Sequence, residues 1–172
     1  MRLSKEPLIP AVAIERRVVE LAQEISKDFS GRELLVVAVL KGGVIFAADL
    51  MRQLRVPAAL EFIRAKSYGD TTSTGTVEFM YLPRQPVSGK QVLIVEDILD
   101  TGRTTAALCK RLEKDRPARL ALCTLLDKPA RREVPVSTDY VGFTIDDHFV
   151  VGYGLDWNER YRQLPDIWTL EA

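Results

Sequence analysis

The chain is poor in the residues that common hydrolytic and zinc chemistries need. Its 172 residues include one histidine, His148, and two cysteines, Cys109 and Cys123. No zinc site of ordinary ligand spacing can be assembled from that set. A Ser-His-Asp or Cys-His hydrolase would have to rest on His148, and nothing around it supports that role. Cys109 falls in a predicted helix and Cys123 in a predicted strand, so both are expected as buried core thiols, neither disulfide-bonded nor nucleophilic. Long hydrophobic runs are absent too: none approaches the roughly 20 apolar residues of a membrane span. The segment Met1-Arg2-Leu3-Ser4-Lys5-Glu6-Pro7 lacks the apolar core of a signal peptide, so a cytoplasmic protein without membrane contact is the expectation. Nor is there an excess of either charge, because 24 Lys+Arg balance 24 Asp+Glu. No global field therefore draws the chain to nucleic acid.

With 47% hydrophobic and 28% charged residues, the chain has the composition of one globular domain with a substantial core. Ile14, Val18, Leu21, Ala22, Ile25 and Phe29 form a helical stripe that ends near Ser30-Gly31. Leu34–Leu40 is a continuous apolar strand and Val44–Leu54 a second helix. Ala58–Ile63 and Thr76–Leu82 read as strands on either side of the polar stretch Lys66–Gly75. Pro83–Lys90 is a turn. The strand from Val92, a helix through Lys114 and the strand Leu120–Leu126 follow. A looser tail holds strand-like Tyr140–Ile145 and Phe149–Tyr153. Alternating strands and helices predict an α/β fold with a mostly parallel sheet whose strand order is not readable. No repeat or linker divides the chain, so a single domain over 1–172 is expected.

The most informative stretch is Val92-Leu93-Ile94-Val95-Glu96-Asp97-Ile98-Leu99-Asp100-Thr101-Gly102-Arg103-Thr104-Thr105. Four apolar residues predict a buried strand, with two adjacent carboxylates at its end and a third beyond. The Thr-Gly-x-Thr-Thr turn then opens a helix. Gly102 can take a positive φ, and hydroxyls with free N–H groups at a helix N-terminus make an anion site. One loop thus offers acids for hydroxyls or Mg²⁺ beside a phosphate cradle. A ligand carrying both a sugar diol and a phosphate ester would fill it.

Other blocks point to the same edge. Leu40-Lys41-Gly42-Gly43 joins a strand to a helix, where a glycine pair lets backbone approach an anion and Lys41 adds a point charge. Asp127-Lys128 ends a strand at the carboxyl edge of the sheet, where α/β proteins bind ligands. Phe149-Val150-Val151-Gly152-Tyr153-Gly154-Leu155-Asp156 is a strand, a glycine-containing turn and a carboxylate. By residue type alone, Lys128 reads as a solvated lysine, Phe149 as a core aromatic and Arg162 as a surface arginine.

From Leu34 to Arg162 these motifs resemble the type I phosphoribosyltransferases. Glu96-Asp97-Ile98-Leu99-Asp100-Thr101-Gly102 is similar to the ribose-5-phosphate loop of the 6-oxopurine members, of the bacterial hypoxanthine(-guanine) kind. The resemblance implies a twisted, mostly parallel sheet flanked by helices. It adds a small hood from N-terminal residues and 128–172, and a flexible lid at about 66–78 that begins at Ser67 and Tyr68. It implies transfer of 5-phosphoribosyl from phosphoribosyl pyrophosphate to hypoxanthine or guanine, giving IMP or GMP, with Mg²⁺ as cofactor. Asp100 is then the acid/base, and Glu96, Asp97, Thr101, Gly102, Arg103, Thr104 and Thr105 hold the ribose 5-phosphate. Lys41, Gly42 and Arg162 meet pyrophosphate, with a cis peptide at Leu40-Lys41. Lys128, Phe149, Val150 and Asp156 meet the purine, and Glu96, Asp97 and Asp156 are the metal ligands. A Lys128 ammonium favours an oxo group and disfavours the amino group of adenine. A homodimer or homotetramer is implied as well. An RNA-binding regulator on the same fold is the alternative, disfavoured by the neutral charge and by Asp100; a xanthine-preferring transferase is another.

Overall fold

A computed structural model describes residues 2–68 and 76–171. The elements in chain order are β1 (Arg2–Leu3), α1 (Ala11–Asp28), β2 (Leu34–Val39), α2 (Gly43–Gln53), β3 (Ala58–Tyr68), β4 (Thr76–Tyr81), β5 (Gln91–Leu99), α3 (Arg103–Glu113), β6 (Arg119–Asp127), β7 (Tyr140–Thr144), β8 (Val150–Val151) and β9 (Trp168–Glu171). Six strands form one sheet in the order β4-β3-β2-β5-β6-β7, and β1-β9-β8 form a second, smaller one. The large sheet is parallel except for β4, which runs antiparallel to β3.

Strand periodicity explains how the sheet is covered. Successive side chains point to opposite faces, so Leu34, Val36 and Ala38 enter one buried cluster while Leu35, Val37 and Val39 enter another. The first cluster packs beneath α1 and α2, through Ile14, Leu21, Ile25, Phe46 and Leu50. The second packs beneath α3, through Leu108 and Leu112. With both faces covered, β2 and the Val92–Val95 part of β5 must be apolar, which is why they read as continuous runs.

The crossover from β2 through α2 leads to β3 on one side, and that from β5 through α3 leads to β6 on the other. The chains leaving β2 and β5 therefore diverge, and a crevice opens between them at the carboxyl edge.

Two strand ends expected from sequence are corrected, and one sheet lay beyond the sequence pattern. β5 does not stop at Val95, the last residue paired with β2, but continues through Glu96 and Asp97 to Leu99, because β6 supplies ladder partners that far. β3 runs past Ile63 to Tyr68, because its outer half is a ribbon with β4 that needs no buried apolar face. The small sheet, with its terminal strands β1 and β9, was not visible from pattern: strands of two and four residues are too short for a periodic signal. Of the expected lid, residues 69–75 lie outside the described residues; the backbones of Ser67 and Tyr68 pair with Val77 and Thr76. Among the described residues no helix is long and apolar enough to cross a membrane.

Phe46 on α2 is fully buried. Phe46→Ala is expected to cost about 3–5 kcal/mol, read as a lower midpoint in equilibrium urea unfolding.

Candidate active site

The crevice holds a cleft of about 290 Å³, lined by Lys41 and Gly42 after β2, by Glu96, Asp97 and Asp100, and by the turn Thr101–Thr105 at the start of α3. Asp156 and Arg162 close its far side. The ribose-phosphate and pyrophosphate groups inferred from sequence are thus brought together, with Arg103 the exception. Its guanidinium donates to Glu133 at 2.6 Å, away from the cleft, so only its backbone remains on the phosphate turn.

Local structure explains the turn. Gly102 has φ +84, and a Cβ there would lie 2.5 Å from the Val134 carbonyl oxygen, so both conformation and space require glycine. No side chain caps α3; its first-turn N–H groups lie at the cleft, where an anion is the favoured partner. Gly42 is fixed by a different constraint: a Cβ would overlap the Asp97 carboxylate. The Leu40–Lys41 peptide is cis.

The carboxylates dominate the electrostatics. Glu96 is buried and Asp97 partly so. Burial, then the neighbouring Asp97 charge, pushes the Glu96 carboxyl well above the ordinary carboxylate range. Burial also raises Asp97, against the lowering pull of hydrogen bonds from Glu96 and backbone N–H groups and of the Arg162 charge. Asp97 Oδ1 accepts from the Ile98 N–H at 2.8 Å and Glu96 Oε1 from the Asp97 N–H at 3.1 Å. Asp156 is tied otherwise: one oxygen lies 2.7 Å from Arg162 Nη2, and the other accepts from the Glu159 N–H at 2.8 Å. Among the described residues no three acids, histidines or cysteines form a ready metal cluster, so Glu96, Asp97 and Asp156 are not a preassembled ligand set. Their separate engagements keep them apart.

Lys128, Phe149 and Val150, all expected at the purine, do not line this cleft. The N–H of Lys128, a residue only 6% exposed, donates to the Leu99 carbonyl at 3.0 Å, and its ammonium donates to the His148 carbonyl. The solvated reading of Lys128 is therefore corrected: the loop 146–149 folds over it. Phe149 is 52% exposed, so the core reading fails as well, and its ring is open for stacking. Val150 is buried in β8 opposite Thr169, which leaves its backbone for any contact with a ligand. Arg162 is no free surface arginine; its Nη1 donates to the Gly154 carbonyl at 2.7 Å.

Sequence reasoning missed three neighbours. Glu159 accepts from Lys41 Nζ at 2.9 Å and from Arg162 Nη2 at 3.2 Å. Those bonds, Lys41 foremost, hold its carboxyl below the usual range. Arg132 donates to the Asp100 carbonyl at 3.0 Å and pairs with Asp127, stapling the phosphate turn to β6. Arg131 lies 3.1 Å from Asp100 Oδ1. Two adjacent arginines just after the Asp127-Lys128 strand end were the available signal.

The raised carboxyls have a consequence for pH. The folded chain holds a proton that the unfolded chain releases near 4.5 for Glu96. That stabilisation is present in acid and is lost as pH climbs through the folded value. Glu96→Gln is therefore expected to melt higher than the parent protein, by a margin that widens from pH 5 to pH 8. The margin should be roughly 2–4 °C per kcal/mol of relieved repulsion, measured by calorimetry without substrate or metal.

The family model of the phosphoribosyl transferase domain matches residues 9–158. The hypoxanthine phosphoribosyltransferase of Salmonella typhimurium is 45% identical, covering 97% of this chain and 96% of its own. The hypoxanthine-guanine enzyme of Mycobacterium avium is 43% identical over 97% of this chain and 86% of its own. A crystal structure of a hypoxanthine-guanine phosphoribosyltransferase from Bacillus anthracis superposes with a TM-score of 0.93 at 42% identity, covering 99% of this chain and 100% of that one. The chain belongs to the phosphoribosyl transferase domain family, in its hypoxanthine(-guanine) phosphoribosyltransferase branch.

Proposed function

We propose that this cleft serves purine salvage by joining 5-phosphoribosyl from phosphoribosyl pyrophosphate to hypoxanthine or guanine, giving IMP or GMP and pyrophosphate. The observation that carries the reading is the meeting, at one sheet edge, of a paired acid, an uncapped helix N-terminus and a buried lysine beside an exposed phenylalanine. The relatives' names point the same way.

In the reaction the bond from ribose C1 to pyrophosphate breaks and a bond from C1 to a purine nitrogen forms, while the base gives up a proton. Glu96 and Asp97 accept from the ribose hydroxyls and place negative charge near C1 as it becomes cationic. Thr101, Gly102, Thr104 and Thr105, with the Arg103 backbone, hold the 5-phosphate, so that binding fixes orientation. Lys41, the Gly42 backbone and Arg162 receive pyrophosphate. Arg162 Nε is buried and lacks a protein acceptor among the described residues, as suits a donor awaiting an anion. Asp100 takes the proton at purine N7. Lys128 meets the 6-oxo group, Phe149 stacks on the ring, and the Val150 backbone with Asp156 reads its edge. Ser67 and Tyr68 begin a lid that keeps water from the activated sugar.

Mg²⁺ fits the donor set. Glu96 and Asp97 are hard oxygen ligands whose mutual repulsion a cation relieves, and Mg²⁺ ordinarily binds through one or two carboxylates plus substrate phosphates. When bound it supplies charge neutralisation for the departing pyrophosphate. Asp156, here paired with Arg162, would be the third carboxylate of that set. The small sheet β1-β9-β8 is read as the hood of a single domain, and the active particle as a homodimer or homotetramer.

Hypoxanthine, guanine, xanthine and adenine should be assayed side by side with phosphoribosyl pyrophosphate, with and without Mg²⁺. The oxopurines hypoxanthine and guanine are expected to react, adenine to fail, and turnover to need the metal; preference for adenine would overturn the reading. Lys128→Ala is expected to narrow the oxo-over-amino preference by roughly tenfold or more, the worth of one charged hydrogen bond, and an unchanged ratio would mean the base is read elsewhere.

A further inference from the structure

We propose that Arg131 is a positioning residue of the transfer reaction, holding Asp100 so that one chosen carboxylate oxygen faces the purine. The proposal rests on the reading of Asp100 as the acid/base. Arg131 Nε lies 3.1 Å from Asp100 Oδ1. That oxygen is sealed from solvent and makes no hydrogen bond of good geometry, although the Asp100 side chain as a whole is 40% exposed. The accessible oxygen is therefore Oδ2, and Arg131 selects it by covering its twin.

The same guanidinium reaches the purine side. Arg131 Nη1 lies 3.5 Å from Asp147 Oδ2, and Asp147 Oδ1 lies 3.9 Å from the Lys128 ammonium. A chain of alternating charge thus runs Asp100–Arg131–Asp147–Lys128, from the proton acceptor to the group that meets the 6-oxo position. Arg131 is well placed to hold this chain because it closes the short helical turn Pro129–Arg131. Its N–H donates to the Lys128 carbonyl at 3.1 Å. The planar fork of arginine engages two carboxylates in different directions, which a lysine, a single point charge, does not reproduce. Side chains of Arg131, Asp100 and Asp147 are each between 40% and 52% exposed. Pairs of that kind add little to stability, so the arrangement serves orientation.

The test compares Arg131→Met and Arg131→Lys, each in the parent protein and in an Asp100→Asn background. Readouts are kcat, KM for both substrates and the thermal midpoint. Arg131→Met is expected to lower kcat roughly tenfold, a typical share of general acid–base catalysis lost to misorientation. KM for phosphoribosyl pyrophosphate should stay within about twofold and the midpoint should be unmoved, as befits an exposed pair. Arg131→Lys should recover part of the loss. In the Asp100→Asn background neither change should slow turnover further, since Arg131 acts through the Asp100 carboxylate. An undiminished kcat in Arg131→Met, or an equal loss in both backgrounds, would overturn the proposal alone. Parent-like turnover by Asp100→Asn itself would remove Asp100 from the mechanism, and this inference with it.

Discussion

Two neighbouring carboxylates at the end of the central strand set the terms for the whole site. Glu96 and Asp97 sit just beyond the last β2 pair, at Val95, where β6 still flanks the strand and where the Gly42 backbone presses against Asp97. Water is scarce there, so two negative charges are costly side by side, and the Glu96 carboxyl is pushed upward in consequence. The surrounding groups answer that charge. Arg162 draws Asp97 downward, while Glu159 holds Lys41 and Arg162 together. Hydroxyl donors from a sugar, or a divalent cation, relieve the same repulsion.

Delivering that pair to a ligand is a matter of topology. Because α2 and α3 lie on opposite faces of the sheet, the segments leaving β2 and β5 separate and open a crevice between them. Into it the strand ends contribute different chemistries, backbone and cation from Lys41-Gly42 and acids and an uncapped helix from β5–α3, while the end of β6 carries a buried lysine at the same edge of the sheet. Arg132 ties the last two together through the Asp100 carbonyl and Asp127. On the proposed reading, positions along the crevice separate the pyrophosphate, the sugar phosphate and the base.

The core strands were legible because burial on both faces leaves no choice but apolar residues, and α1 because its stripe repeats at helical spacing. Legibility failed where pairing rather than composition decides. Polar Lys66, Ser67 and Tyr68 extend β3 only because β4 lies alongside, and β1 and β9 exist only by pairing distant ends of the chain. In the site, the acids and the Thr-Gly-Arg-Thr-Thr turn could be read from residue type and order. The burial of Lys128 and the exposure of Phe149 could not, because both depend on how the loop 146–149 lies against β6. Glu159, Arg131 and Arg132 look like ordinary surface charges until their partners, remote in sequence, are known.

What the linear order of residues settles here is local chemistry: a strand that carries acids, a glycine that permits a left-handed turn, a helix start that attracts an anion. These follow from side-chain type and backbone freedom within a few neighbours. Which charges face one another, which oxygen of Asp100 stays open and whether a lysine is wet or dry follow from contacts between segments far apart along the chain. Such contacts are governed by desolvation and Coulomb interaction at short range, and no spacing rule encodes a distance that only folding creates.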